Sequence, residues 1–219
     1  MNLTPLLKPV FKSRVKKIAR YATDAEAIQR SVLKHLVEGA EKTEWGIKHN
    51  YSAIAGYEQF AKNVGVQDYE TLKGYIDRMR RGEKNVLWKG GCKWFAKSSG
   101  TTNDKSKFIP VTPDGLRNVH YSGPFDVVSQ YIANNPGSRI LAGKALILGG
   151  SHAPNYNLPG SLVGDLSAIL IENCNPLVNM VRVPHKSISE VFRQRTKVGS
   201  FFNKARDLLM SPIVSESYG

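Results

Sequence analysis

From Asn85 onward, short runs of aromatic and β-branched residues alternate with longer segments of helical character. The runs NVLW, CKWFAK and KFIPVT are typical of strands, and KALILGG has the composition of a buried strand that ends at a glycine-rich loop. Thr112, Pro113 and Asp114 form a helix start, and Pro124 is expected to kink or divide the helix that follows. LVGDLSAILIEN is also predicted to be helical. This alternation predicts a parallel or mixed sheet covered by helices, which is an α/β fold.

Residues 1–84 are predicted to be mainly helical. Thr23 and Glu26 have the spacing of a capping box in front of an apolar stripe. The stripe repeats every four residues: Ile28, Val32, Leu36 and Ala40. Further along, Asp68 is a suitable N-cap for a helix that Gly82 would end. The predicted inner side of that helix consists of Leu72, Ile76 and Met79.

The chain has 219 residues, enough for one sizeable domain or two small ones. We expect a single incomplete α/β domain, helical over 1–84, with strands and helices over 85–185 and a basic tail over 186–219. The formal net charge of +13 favours a polyanion as partner, either nucleic acid or the phosphates of a nucleotide. Two alternatives are charge spread over solvated helix faces and an acidic complement in a part of the protein outside this sequence.

Several protein classes are disfavoured. No run approaches the roughly 18 apolar residues that a membrane-spanning helix needs, and the N-terminal basic residues follow the apolar ones, unlike in a secretory signal. Apolar Val10, Val15 and Ile18 alternate with basic residues, which predicts an amphipathic helix that packs on its own domain or lies on a membrane surface. Cys92 and Cys174 have no metal-ligand spacing, so we expect two buried thiols and a cytoplasmic location.

The segment SSGTTNDKS, between the predicted strands KWFAK and KFIPVT, has the composition of a phosphate-binding loop. Gly100 lets the backbone approach an anion closely, while Lys105 and Lys107 supply positive charge. Four hydroxyl donors are available: Ser98, Ser99, Thr101 and Thr102. The segment is not a Walker A loop, because it enters a strand and lacks the second glycine. A polar hairpin turn is the alternative, but the strand context with its lysines and proline favours phosphate binding by residues 97–110.

At this point the sequence resembles a known family. The loop is similar to the ATP loop of adenylate-forming enzymes, and in particular of bacterial members of the auxin-responsive promoter (Gretchen Hagen) family of acyl-acid amido synthetases. Further landmarks of that family occur in the same order: TEWGIKHNYSAI, YETLKGYIDRMRRGEKNVLW, KWFAKSSGTTNDKSKFIPVT, ILGGSH and GDLSAILIEN. The resemblance runs from near the N-terminus to about Pro184.

The resemblance implies a ligase that joins ATP, with Mg²⁺, to a carboxylic acid and transfers the acyl group from the acyl-adenylate to an amine or amino acid. Such enzymes have a large N-terminal domain and a small mobile C-terminal one. The residues it places at the phosphates are Ser98, Ser99, Gly100, Thr101 and Thr102, with Lys107 as the loop lysine. Asp104 stands where the family pattern has glycine, and an acid there would repel phosphate unless it faces away or helps to hold Mg²⁺.

The family's later Tyr-x-x-Ser/Thr-Glu segment, its ribose-binding aspartate and its C-terminal lid are not found in this sequence. We therefore expect the chain to be the N-terminal part of such a ligase and to be inactive alone. The alternative function is a basic nucleic-acid-binding module, for which the sequence has no recognised motif.

A second candidate segment is GGSHAP, which follows a predicted strand. Ser151 and His152 are expected to line the acyl pocket, and the imidazole of His152 could carry a proton near neutral pH. The alternative is a loop histidine hydrogen-bonded to backbone. Asp165 is interpreted as a helix-start acid. The three tryptophans are interpreted as core residues: Trp45, Trp88 and Trp94.

Overall fold

The computed structural model describes residues 4–98 and 106–184. The helices are α1 (Thr4–Thr23), α2 (Ala25–Ala40), α3 (Glu44–Lys48), α4 (Tyr57–Val64), α5 (Tyr69–Arg80), α6 (Pro113–Gly115), α7 (Ser122–Asn134), α8 (Leu166–Glu172) and α9 (Pro176–Val181). The strands are β1 (Trp94–Lys97), β2 (Phe108–Val111), β3 (Ala145–Leu146), β4 (Leu162–Gly164) and β5 (Arg182–Val183). A helical N-terminal part is thus followed by a small mixed sheet, and the predicted α/β class is confirmed.

Strand β1 is the centre of the main sheet, whose strand order is β2-β1-β4. It pairs with β2 in antiparallel fashion and with β4 in parallel fashion. Phe95 lies on one face of β1 and packs against Ile76, Met79 and Val163. The opposite face belongs to a second cluster: Trp94, Ala96, Val111, Leu116 and Ile169. Both faces of β1 are therefore buried.

Helix α5 forms as its cap residues predict. The Asp68 carboxylate accepts hydrogen bonds from the backbone N–H of Thr71 at 2.8 Å and from the Thr71 hydroxyl at 2.7 Å. These bonds lower the pKa of Asp68. Gly82 follows the helix with φ of +92°, a conformation that favours glycine. Ile76 and Met79 are buried on the inner side, as predicted, and Leu72 is half-buried.

The capping box predicted at Thr23 is wrong. Thr23 is the last residue of α1, and its hydroxyl donates to the backbone carbonyl of Arg20 at 3.4 Å. Asp24 occupies the N-cap position of α2 without a side-chain capping bond. Helix α1 ends at Thr23 and α2 begins at Ala25, so Asp24 alone separates the two helices.

The apolar stripe of α2 is only partly buried. Ala40 is buried and Ile28 is half-buried, whereas Val32 and Leu36 are 53% and 49% exposed. Leu36 lines a groove of about 350 Å³ between the helices of the N-terminal part. Amphipathic periodicity predicted the helix correctly, but only its C-terminal half meets a neighbour.

The basic helix α1 packs on its own domain, as one of the two interpretations predicted. Phe11 is 6% exposed and its ring lies 5.6 Å from that of Phe125 in α7. Arg14 donates to the carboxylate of Asp126, and this hydrogen bond raises the pKa of Arg14. Within the described residues, no helix combines the length and apolar character needed to cross a membrane.

Three strand predictions need correction. NVLW forms no strand, because the carbonyls of Asn85 and Val86 accept hydrogen bonds from the first N–H groups of α3. KALILGG yields only the two-residue β3, which pairs with β5 and leaves Leu146 54% exposed, so it is not a buried strand. LVGDLSAILIEN is helical only from Leu166, because its first residues form β4 beside β1.

The helix start at Thr112 is confirmed. Its hydroxyl accepts a hydrogen bond from Gly115 N–H at 3.0 Å. The helix then widens into a π-helical turn over Leu116–His120 before α7 begins at Ser122. Pro124 lies in the first turn of α7, where backbone N–H groups have no partner within the helix, so its missing N–H costs no helical hydrogen bond. The break between the π-helical turn and α7 therefore lies before Pro124 rather than at it.

The thiol prediction holds for one cysteine. Cys92 is 5% exposed, and burial raises its pKa to about 11, so it remains a thiol at neutral pH. Cys174 is half-buried rather than buried. Trp45 and Trp94 are core residues as predicted, and Trp88 is half-buried with its indole N–H donating to Asp114 at 3.0 Å.

Arg78 joins two carboxylates from different elements. Its guanidinium donates to Glu44 at 2.9 and 2.5 Å and to Glu83 at 2.7 Å. These hydrogen bonds hold the pKa values of both glutamates below their usual range. The network connects the start of α3 with the loop after α5.

We expect Arg78→Met to remove a contribution to stability that depends on pH. Because the folded pKa of each glutamate is depressed, the contribution is fully present above the unfolded pKa of about 4.3 and is lost as pH falls through the folded value. Urea denaturation should therefore show a difference between wild type and variant that is constant at pH 6–7 and shrinks below about pH 4.5. Arg81→Met, at an exposed arginine without an ion pair among the described residues, is the control. A difference independent of pH would contradict the assignment.

Candidate functional site

The predicted phosphate loop connects the antiparallel strands β1 and β2. Lys97 is paired with Phe108, and one residue further the N–H of Ser98 donates to the carbonyl of Lys107 at 3.0 Å. Ser98 is half-buried and Lys107 is exposed. The loop joins two strands and enters a strand rather than a helix, as the sequence indicated. The remaining predicted loop residues lie outside the described residues: Ser99, Gly100, Thr101, Thr102, Asp104 and Lys105.

The open end of this hairpin carries aromatic rings from three parts of the chain. The Tyr69 hydroxyl, from the start of α5, accepts the N–H of Phe108 at 2.9 Å. The ring of Phe108 lies 5.8 Å from that of Tyr156. Helix α5 and the turn at Pro154–Tyr156 thereby hold the first residue of β2. The residues on either side of the loop are fixed by side chains that are distant in sequence.

Three cations lie on these rings. The guanidinium of Arg80 is 3.7 Å from the centre of the Phe108 ring, and Lys97 Nζ is 4.2 Å from the centre of the Tyr156 ring. Lys107 Nζ lies 5.4 Å from the Tyr69 ring. Arg80 also donates to the carbonyl of Tyr156 at 2.9 Å. We call Arg80, Lys97 and Lys107 the cation cluster.

Of the cation cluster, the resemblance placed Lys107 at the phosphates, Lys97 is the first residue of the predicted loop 97–110 but had no role of its own, and Arg80 was not assigned to the site. Tyr69 and Arg80 are eleven residues apart, about three helical turns, so both lie on the inner side of α5 with Ile76. A charged residue on an apolar helix face was the available signal for Arg80. No sequence signal connects Lys97 with Tyr156, because the two residues are far apart in the chain.

The second candidate segment is fixed by Asp165. Its carboxylate Oδ2 accepts the N–H of Ser151 at 2.7 Å, and its own N–H donates to the Ser151 carbonyl at 2.9 Å. Asp165 does occupy the N-cap position of α8, but its side chain makes no capping bond there. The fit is tight, since a Cβ at Gly150 would lie 2.2 Å from Oδ2. The acid predicted for the helix start therefore anchors the Ser151 backbone instead.

His152 lies beside the core of the sheet. It forms an antiparallel bridge with Gly164 at the end of β4, and its ring is 5.6 Å from that of Trp94. Ser151 is exposed and His152 is half-buried. The assignment of both residues to an acyl pocket stays a prediction.

Topology brings the two candidate segments to one edge of the sheet. Strands β1 and β4 are parallel, with Ala96 opposite Gly164. Ser98 follows the end of β1, and Asp165 follows the end of β4. The carboxyl ends of neighbouring parallel strands are a common place for ligand sites in α/β proteins. In the described part of the chain, no three His, Cys, Asp or Glu side chains are grouped as a metal site would require.

The described residues form an α/β protein whose β1–β2 hairpin opens at the carboxyl edge of the β1/β4 pair, and comparison with known proteins identifies the family. A family model described as the GH3 family N-terminal domain matches residues 14–201. The chain belongs to the GH3 family, and the resemblance of its motifs is confirmed.

The similar proteins include two from Arabidopsis thaliana. Indole-3-acetic acid-amido synthetase GH3.5 is 27% identical over 124 residues, which cover 55% of this chain and 20% of that protein. The 4-substituted benzoates-glutamate ligase GH3.12 is 28% identical over 119 residues, which cover 52% of this chain and 20% of that protein. Among solved structures, the GH3.15 acyl acid amido synthetase matches with a TM-score of 0.63 and 21% identity, over 80% of this chain and 30% of that one.

These matches thus span about a fifth of each of the two plant relatives and 30% of the solved chain. The matched proteins are amido synthetases or ligases by name, and they give no support to the nucleic-acid interpretation.

Proposed function

We propose that this chain carries the nucleotide-phosphate end of an acyl acid amido synthetase, with residues 97–110 as the loop that binds the polyphosphate of ATP. The observation that carries the proposal is the β1–β2 hairpin, which opens at the carboxyl edge of the β1/β4 pair and has three cations around its open end. Positive charge at this position favours an anionic ligand. The names of the relatives support a carboxylic acid and an amino acid as the other substrates.

The proposed reaction has two steps. A carboxylate oxygen attacks the α-phosphorus of ATP, the bond to the bridging oxygen breaks, and pyrophosphate leaves with the electron pair. An amine then attacks the acyl-adenylate carbonyl, AMP leaves, and the amine proton passes to a base. In the first step negative charge accumulates on the phosphate oxygens, so the protein contributes mainly position and electrostatic stabilisation.

The proposed roles of the loop residues follow from their chemistry. Gly100 allows close approach of the backbone, and Lys107 supplies charge at the loop exit. The hydroxyls that would donate to phosphate oxygens belong to Ser98, Ser99, Thr101 and Thr102. Mg²⁺ would arrive with ATP, since this ion is usually held by substrate phosphates with one or two carboxylates. Asp104 is the candidate carboxylate from the loop itself.

Ser151 and His152 are proposed to face the acyl side, one strand away from the phosphate loop. The anchored Ser151 backbone supports this role, because both of its polar groups are bonded to Asp165 and its position is therefore defined. We further propose that the chain acts in the cytoplasm as one α/β domain, with parts at 1–84, 85–185 and 186–219. In this proposal the chain binds ATP but does not complete the acyl transfer alone.

The test is ATP binding to the purified chain, measured by equilibrium dialysis. The Ser99→Ala/Thr102→Ala double variant is expected to bind ATP at least about tenfold more weakly, because hydrogen bonds to charged groups contribute about 1.5–3 kcal/mol each. Carboxylate-dependent ATP–pyrophosphate exchange is expected to be absent in the chain and present in a longer relative.

The matched control is Ser13→Ala/Thr23→Ala, which removes the same two hydroxyl types from α1. Equal ATP affinity in the two double variants would contradict the loop assignment. Failure of the unmodified chain to bind ATP would contradict the proposed function itself.

A further inference from the structure

Two members of the cation cluster, Arg80 and Lys97, lie along a continuous chain of rings at the open end of the hairpin. The guanidinium carbon of Arg80 lies 3.7 Å from the centre of the Phe108 ring. The centres of the Phe108 and Tyr156 rings are 5.8 Å apart, and Lys97 Nζ lies 4.2 Å from the centre of the Tyr156 ring. Phe108 and Lys97 are paired across β1 and β2, so their side chains project on the same face of the sheet. This is the face that packs on α5. Arg80 and Lys97 therefore lie on one side of the hairpin, and Lys107 lies beside the Tyr69 ring of α5.

The positive charge of the cluster is poorly compensated. Among the described residues, the only carboxylate paired with any of the three cations is that of Asp77, 3.7 Å from Arg80 Nη1. Arg80 is 9% exposed, and its Nε is buried without a hydrogen-bond partner in the described part of the chain. A buried cation is costly unless it is paired, and aromatic faces offset only part of that cost. An anion at this position would offset the positive charge that Asp77 alone leaves uncompensated.

We propose that Arg80, Lys97 and Lys107 form a binding site for a polyphosphate anion on the α5 side of the hairpin. This inference rests on the proposed function, in which the polyphosphate belongs to ATP. It adds Arg80 to the residues that bind the polyphosphate and gives a specific role to Lys97, the first residue of the loop. Three cations suit a ligand with several negative charges better than a single carboxylate. The planar guanidinium offers paired donors to phosphate oxygens, and the lysines act as point charges.

Lys97 and Arg80 have different roles in this site. Lys97 is half-buried at the last position of β1, where its ammonium reaches the ligand directly. Arg80 also acts as a positioning residue, because it holds the Phe108 ring and the Tyr156 carbonyl on which the geometry of the hairpin end depends. Loss of Lys97 should remove charge with little change in fold, whereas loss of Arg80 should alter both.

The experiment titrates the full chain with inorganic tripolyphosphate and with ATP by calorimetry at several salt concentrations. Lys97→Gln is expected to weaken binding of both ligands about tenfold and to make their affinity fall less steeply with salt concentration, because one charge pair is lost. Lys97→Arg should restore affinity to within about threefold, since it keeps the charge. The control is Lys93→Gln, which removes a lysine that lies 5.9 Å from a ring at the opposite end of β1 and should change affinity less than about twofold.

The outcomes separate this site from the proposed function. Weaker binding by Lys97→Gln but not by Lys93→Gln supports the site. If the unmodified chain binds ATP and the Lys97→Gln and Lys93→Gln variants bind it with the same affinity as the unmodified chain, the site is overturned and the proposed function stands. If tripolyphosphate binds with the expected Lys97 dependence but the Ser99→Ala/Thr102→Ala variant keeps its ATP affinity, the site stands and the loop assignment fails. Tighter Lys97-dependent binding of a single-stranded RNA than of ATP, or no binding of either anion, overturns the site.

Discussion

Replacing Phe95 with alanine is expected to lower the free energy of unfolding by about 3–5 kcal/mol. Phe95 is 0% exposed and occupies the middle of β1, the central strand of the sheet. Its neighbours come from separate elements: Ile76 and Met79 of α5, Val163 of β4, and Val86 and Cys92 of the segment between α5 and β1. Because these elements also hold one another, they cannot all move inward to fill the cavity, and the cost should approach the upper end of the range.

Urea denaturation of the purified chain, followed by tryptophan fluorescence, measures this change. The matched control is Ile109→Ala on the neighbouring strand β2, where the side chain is 51% exposed and its removal should cost less than about 1 kcal/mol. Equal losses from the two substitutions would contradict the burial of β1 on both faces. Unchanged stability of the Phe95→Ala variant would contradict that burial as well, because removal of a fully buried ring leaves a cavity.

The elements that the sequence predicted well are those fixed by groups within three or four residues. Asp68 caps α5 through a bond to Thr71, and Thr112 caps α6 through a bond to Gly115. A side chain that bonds the backbone three residues later needs no distant partner, so its pattern can be recognised in the sequence. The caps of α5 and α6 and the glycine after α5 belong to this class.

Apart from the local capping box at Thr23, the elements that were predicted wrongly depend on distant partners. KALILGG has the apolar content of a buried strand, yet Leu146 and Leu148 are 54% and 63% exposed because β3 pairs only with β5 in the described part of the chain. NVLW has strand-forming residues, but its carbonyls bind the start of α3. Strand β4 is only three residues long, too short for an alternating pattern to show. Composition shows that a segment is apolar, but whether it forms a buried strand depends on the segments that pair and pack with it in the fold.

The candidate site shows the same division. The hydroxyls, glycine and lysines of the loop are consecutive, so its chemistry could be predicted from a short segment. Arg80 and Tyr156, which hold the end of the hairpin, come from α5 and from a turn 76 residues further on. Asp165 lies at the helix start as predicted, but its side-chain bond was not predicted, because the partner, Ser151, lies 14 residues before it on a separate loop. Side chains that position a site from a distance leave no local pattern.

Alanine in place of Gly46 is expected to destabilise the chain by about 3 kcal/mol, whereas the same substitution at Gly74 should stabilise it by about 0.5–1 kcal/mol. A Cβ at Gly46 would lie 2.0 Å from the carbonyl oxygen of Ala40 and 2.9 Å from that of Glu41, both of which are backbone atoms at the end of α2. At Gly74, in the middle of α5, nothing lies within 4 Å of the added methyl group. The two glycines are both helical, so helix propensity favours alanine at each.

The opposite signs follow from what surrounds each position. Relief at Gly46 would require α3 to move away from α2, but Trp45 and Thr43, which precede Gly46, are 7% and 1% exposed, and the Thr43 hydroxyl donates to the Ala40 carbonyl at 2.6 Å. The clash must therefore be absorbed by backbone that is already fixed by the core. Urea denaturation of both variants and of the double variant measures the effects, which should add because the two sites share no partner. Stabilisation by both substitutions would show that α3 does not approach α2 this closely, and the junction of the N-terminal helices would have to be revised.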